Sequence, residues 1–203
     1  MKLFAQTLLI ALILSGCVQQ YSLIRTGVNT VGQLQVTASA DWNQAPSHST
    51  PSARSDSRTW TKDGLILDRL MLISGVKDGE TILKPADKTT ALPVFRADML
   101  PNEIEELVES SIVKLYGEGS ASVSTSNLRP QGFGEYGGFM FDLAGAVSES
   151  PDYRGLAGAF VDEDELFLMI YLAADPNYFD KHRDEVEALI KSATLTRATI
   201  RRP

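Results

Sequence analysis

The run Leu166-Phe167-Leu168-Met169-Ile170-Tyr171-Leu172-Ala173 constrains this chain more than any other stretch. It has no polar face. A half-buried strand alternates apolar and polar side chains; a run that is apolar at every position fits a strand covered on both faces. The chain therefore needs two covering layers and neighbouring strands on either side of this run.

Two segments have the patterning of covering helices. Pro101 to Tyr116 places Ile104, Leu107, Val108, Ile112 and Leu115 on one face. Pro101 suits a first turn, Glu103, Glu105 and Glu106 complement the positive helix start, and Gly117 can end the helix. Asp175-Pro176 is read as the cap and first residue of a second helix, with Phe179, Val186, Leu189 and Ile190 as its apolar face. His182, between Lys181 and Arg183, is placed on its solvated side.

The rest reads as strands and turns. Leu34 to Ser39 and Ala121 to Ser126 alternate. Gly138 to Ala144 puts Phe139, Phe141 and Leu143 on one side. Leu156 to Val161 and Leu166 to Ala173 flank Asp162-Glu163-Asp164-Glu165, read as a soluble hairpin tip rather than a calcium loop. Thr59 to Thr61, the Lys62-Asp63-Gly64 turn and the run from Leu65 to Ile73 read as another hairpin, interrupted only by Asp68 and Arg69. Gln44 to Ser57, rich in Ser and Pro, reads as a mobile loop. Hairpin-connected strands with two amphipathic helices specify a single-domain α+β fold: a twisted antiparallel sheet covered by two helices.

The helix from Pro101, the strands through "YGGFMFDLA", "YRGLAGAFV" and "LFLMIYLAA", and the helix ending "VEALIKSATL" together resemble the PsbP-like fold over residues 34–195. That resemblance implies an α-β-α sandwich. Members of that fold family are mostly non-enzymatic accessory subunits, chaperone-like binders or envelope lipoproteins. It implies a binding or assembly role and carries over no site residues.

The N-terminus bears on location. Lys2, the apolar run Leu8 to Leu14 and the small residues Ser15 and Gly16 have the layout of a secretory signal. The run is shorter than the roughly 20 apolar residues a membrane span needs. Leu14-Ser15-Gly16-Cys17 resembles the bacterial lipobox, and Cys17 is the only cysteine in the chain. The resemblance implies cleavage between Gly16 and Cys17 and lipid attachment at the Cys17 thiol, the side chain nucleophilic enough to take it. More than one acyl chain on one residue holds a protein firmly on a membrane. Val18 stands where inner-membrane lipoproteins often carry Asp, which favours the outer membrane in a Gram-negative source. The expected organisation is a cleaved signal over 1–16, lipid attachment and tether over 17–33, a globular domain over 34–196 and a basic tail over 197–203. The tether includes a candidate edge strand at Tyr21 to Ile24.

No catalytic or metal-ligating set stands out, and no cofactor is expected. A net charge of −7 with no basic face argues against nucleic acid as a partner. Gly132 to Gly137 spells GxGxxG, but it leads into a strand, so it is read as a turn rather than a dinucleotide site. His48 falls in the Ser/Pro loop. Phe133 and Tyr136, set among glycines, are the candidate contact for an envelope protein partner. Arg197, Arg201 and Arg202 could meet phospholipid headgroups. The expected function is a non-catalytic, membrane-anchored binding module facing the periplasm. The alternative is a small-molecule or lipid carrier with a pocket between helix and sheet.

Overall fold

The computed structural model describes residues 20–50, 53–85, 87, 89–117, 119–147 and 151–196. Cys17, the whole lipobox and the tail arginines lie outside these residues.

Eleven strands and two helices follow one another along the described residues. The strands are β1 (Ser22–Ile24), β2 (Gly27–Val31), β3 (Leu34–Ala38), β4 (Trp42–Gln44), β5 (Ser57–Thr61) and β6 (Asp68–Val76). Helix α1 (Pro101–Tyr116) leads to β7 (Ala121–Phe133), β8 (Tyr136–Val147), β9 (Tyr153–Asp162) and β10 (Glu165–Ala174). Helix α2 (Asn177–Lys191) and β11 (Thr194–Leu195) follow. Eight strands form one antiparallel sheet in the order β1-β4-β5-β6-β10-β9-β8-β7, and β11-β3-β2 form a second, small one.

The apolar run lies where its composition requires, in β10, between β6 and β9. Its side chains divide strictly by parity. Leu166, Leu168, Ile170 and Leu172 enter the core under α1, with Ile104, Leu107, Val108, Phe139, Phe141 and Leu143. Phe167, Met169, Tyr171 and Ala173 enter the opposite core, with Phe179, Val186, Leu189 and Ile190 of α2 and with Val31, Leu34 and Val36 of the small sheet. The second face thus needs a helix and a three-stranded sheet to cover it. The fold is the expected α+β sandwich.

Helix α1 begins and ends at the expected residues. Pro101 opens it, the Glu103 carboxylate accepts the Leu100 backbone N–H at 2.7 Å, and Gly117 ends it at φ +90°. The β9–β10 hairpin turns on Glu163 and Asp164, both with positive φ, so the four acids form its tip. Gly132 to Gly137 is the turn of the β7–β8 hairpin.

Several expectations are corrected. The candidate edge strand near Tyr21 to Ile24 is β1, where Leu23 pairs with Asn43, but residues 27–31 are a strand rather than tether: they pair with β3, Val31 with Leu34, and Val31 is buried in the core. Strand β6 starts at Asp68, and residues 62–67 form the connection from β5. Pro176, not Asp175, occupies the N-cap of α2, and Asp175 instead accepts from Arg154 at 3.4 Å.

Candidate functional site

The expected partner contact at Phe133 and Tyr136 does not survive as a surface. Phe133 is fully buried, with its ring stacked 5.2 Å from that of Phe160. Tyr136 is half-buried and stacks on the other side of the hairpin's aromatic row, 5.3 Å from Phe160. Of the nearby glycines, Gly138 allows this approach. A Cβ on Gly138 would fall 2.8 Å from the Phe133 ring, so Gly138 is the space that Phe133 fills. Phe139 and Phe141 face the α1 core as expected.

The histidines separate. His48 is exposed and touches only its neighbour Ser49, at 3.3 Å. His182 is buried on the inner face of α2, a correction whose reason is spacing: Phe179, His182, Val186 and Leu189 fall on one helical stripe. Its Nε2 lies 2.6 Å from Oδ2 of Asp63, and Lys181 Nζ donates to both oxygens of that carboxylate at 2.8 Å. Burial pushes the Asp63 carboxyl up, but the hydrogen bonds from Lys181 and His182 outweigh it and hold the carboxyl below its ordinary value.

This polar cluster extends inward. Asp68 is fully buried and accepts from Thr61 Oγ1 at 2.8 Å and from the backbone N–H groups of Lys62 and Asp63 at 3.1 and 2.7 Å. Lys62 pairs with Glu185 and lies 5.1 Å from the Trp42 ring centroid. Burial and the charges of Asp68, Asp63 and Glu185 push the Tyr171 hydroxyl well above its ordinary range. These groups pin the β5–β6 connection to α2. Their charges are spent on one another, so the cluster reads as a structural clasp. Among the described residues, no three His, Cys, Asp or Glu side chains are grouped to hold a metal ion.

Besides a cleft of about 530 Å³ between Ser124, Asp152 and Arg154, whose cation is paired with Asp175 and Asp180, two openings stand out among the described residues. A polar cleft of about 740 Å³ lies beside Gln20 and the β4–β5 loop. Its most buried cation, Arg54, is committed to Asp56 and Glu80, each at 2.7 Å. The second opening lies on the α1 face, at the C-terminal end of that helix. It holds about 430 Å³ between Ile66, Arg69, Tyr116, Val147 and Tyr153. A small apolar niche lined by Ile112, Val123, Leu143 and Leu172 adjoins it. Tyr153 is fixed there by its hydroxyl, which donates to the Ile66 carbonyl at 2.8 Å. Sequence reasoning missed this groove. Its signal was Arg69 itself, a cation inside an otherwise apolar strand.

The arrangement of layers and the strand order match a known architecture. The solution structure of cyanobacterial PsbP (CyanoP) from Synechocystis sp. PCC 6803 superposes with a TM-score of 0.56 at 13% identity, over 89% of this chain and 96% of that one. The fold is PsbP-like. The crystal structure of LpqN, involved in cell envelope biogenesis of Mycobacterium tuberculosis, aligns over 90% of this chain and 88% of that one. Its TM-score is 0.36 at 9% identity, too low to support an argument. No protein-family model and no curated protein sequence matches the chain. At such identities the PsbP-like likeness is one of architecture, and it transfers no residue roles.

Proposed function

We propose that this chain is an envelope lipoprotein, anchored through a lipidated Cys17, whose PsbP-like domain works by binding another envelope component. The observation that carries the reading is Leu14-Ser15-Gly16-Cys17 placed directly behind a short apolar signal core. The fold supports it, since the Asp63, Lys181 and His182 cluster is committed to internal pairing and an open groove remains beside Ile66 and Tyr116. Among the described residues no helix is long and apolar enough to cross a membrane.

In this reading the four residues Val18 to Tyr21 lie between the lipidated Cys17 and strand β1, which starts at Ser22. Four residues span at most about 14 Å, so the proposed anchor would keep the β1 edge of the large sheet near the membrane surface.

Substitution Cys17→Ser tests the anchor. The expected result is loss of lipidation and release of the protein from membranes on flotation. A variant that still floats at the wild-type level refutes the anchor. Affinity capture of the wild type from intact envelopes tests the binding role. Recovery of nothing beyond what an unrelated lipoprotein captures would refute it.

A further inference from the structure

The groove at the end of α1 contains an uncommitted charge. Four arginines among the described residues are half-buried: Arg54, Arg69, Arg129 and Arg154. Three of them are ion-paired, Arg54 with Asp56 and Glu80, Arg129 with Asp142, and Arg154 with Asp175 and Asp180. Arg69 has no carboxylate and no hydrogen-bond acceptor among the described residues. Its Nε is sealed from solvent without a partner, and the group it meets is the face of Tyr153, 5.6 Å from the ring centroid.

That condition is costly. A buried donor with nothing to donate to loses roughly 1–3 kcal/mol, and a cation in a partly apolar wall gains most from a counter-ion at short range. The surroundings say what kind of counter-ion fits. Ile66, Tyr116, Val147 and the niche behind them offer apolar surface, and Arg69 is the one cation among the groove's lining residues. A dianion such as phosphate would have a single cation to meet it. A monocarboxylate would be neutralised by one guanidinium, which is shaped to grip its two oxygens. The volume is that of a site for a small organic molecule, within the roughly 300–1,000 Å³ usual for such clefts.

We propose that the groove between the C-terminal end of α1 and the sheet binds a small monocarboxylate with an apolar body, its carboxylate on Arg69 and its body against Tyr116, Ile66 and Val147. Tyr153 holds the guanidinium from behind. The β5–β6 connection forms the outer lip, where Ile66 is 72% exposed with no apolar partner in front of it. The inference rests on the reading of the domain as a binding module, and it fails separately from it.

The test uses the full chain and three probes with one body: 4-phenylbutyrate, 4-phenylbutanol and 4-phenylbutylamine. Binding is followed by calorimetry and by amide shifts. The carboxylate is expected to bind at least tenfold more tightly than the alcohol and the amine, with shifts centred on Arg69, Tyr116 and Tyr153. Arg69→Met keeps an unbranched apolar stem and removes the charge, and it should weaken carboxylate binding at least tenfold. Should that variant fail to fold, Tyr116→Glu at the exposed mouth places a like charge there and should weaken binding several-fold. Equal binding of the three probes, shifts centred elsewhere, wild-type affinity in a folded variant, or no carboxylate binding at about 5 mM would each overturn the proposal. An absent carboxylate site in a chain that still captures an envelope partner removes this inference alone. Loss of both removes the binding reading as well.

Discussion

At the residue scale, the clasp between the β5–β6 connection and α2 makes two measurable commitments. Asp63 has a carboxyl held below its ordinary value of 3.8: burial opposes this, and the bonds from Lys181 and His182 outweigh it. As pH falls, the unfolded chain takes up this proton first, so the clasp contributes fully above about pH 4 and is lost as pH drops through the lowered value. Urea midpoints measured between about pH 5 and 3 should fall less steeply in Asp63→Asn than in the wild type. Asp68 holds a different position, fully buried and accepting three donors, two of them backbone N–H groups. Asp68→Ala leaves those donors facing a cavity and should cost about 3 kcal/mol in equilibrium unfolding. Neither role was legible in the sequence. Asp63-Gly64 reads locally as turn chemistry, and nothing local says that α2, over a hundred residues on, will meet it. His182 could have been read better, because its spacing from Phe179 and Val186 already placed it on the inner stripe. Its charged neighbours, Lys181 and Arg183, hid that.

At the element scale, the long periodic segments were legible and the irregular joins were not. Helix α1 is bounded by chemistry carried on its own residues, Pro101, Glu103 and Gly117, so its limits could be read directly. Strand β10 announced its central place by having no polar face. Strands β1 and β2 were harder, since short, half-polar strands owe their pairing to distant partners rather than to their own pattern. The aromatic hairpin was misread for a related reason. Glycines beside Phe133 and Tyr136 suggested exposure, whereas Gly138 marks where a ring and a backbone approach. Gly155 in β9 is a second crowded position, besides Gly138. A Cβ there would lie 2.4 Å from the Tyr171 carbonyl oxygen and 2.7 Å from a Leu172 methyl. The first of these is backbone and cannot rotate away. Gly155→Ala should therefore cost about 2 kcal/mol by thermal unfolding, through overpacking at the β9–β10 seam.

At the scale of the whole molecule, the sandwich is closed by its two ends. Thr194 and Leu195 of β11 pair with Gln35 and Leu34, the Thr196 amide donates to the Gln33 carbonyl at 2.8 Å, and the Thr37 amide donates to Ser192 Oγ at 2.8 Å. The early strands β2 and β3 and the last described strand thus share one small sheet, and that sheet joins α2 in covering the Trp42–Tyr171 side of the core. Contacts so far apart in sequence form late, because the intervening chain must be ordered or looped before they gain anything. A chain emerging from a ribosome cannot close this seam until residue 195 has been made. Under the export proposed above, this late seam works as a safeguard: the domain stays threadable through a narrow channel until β11 follows and locks it.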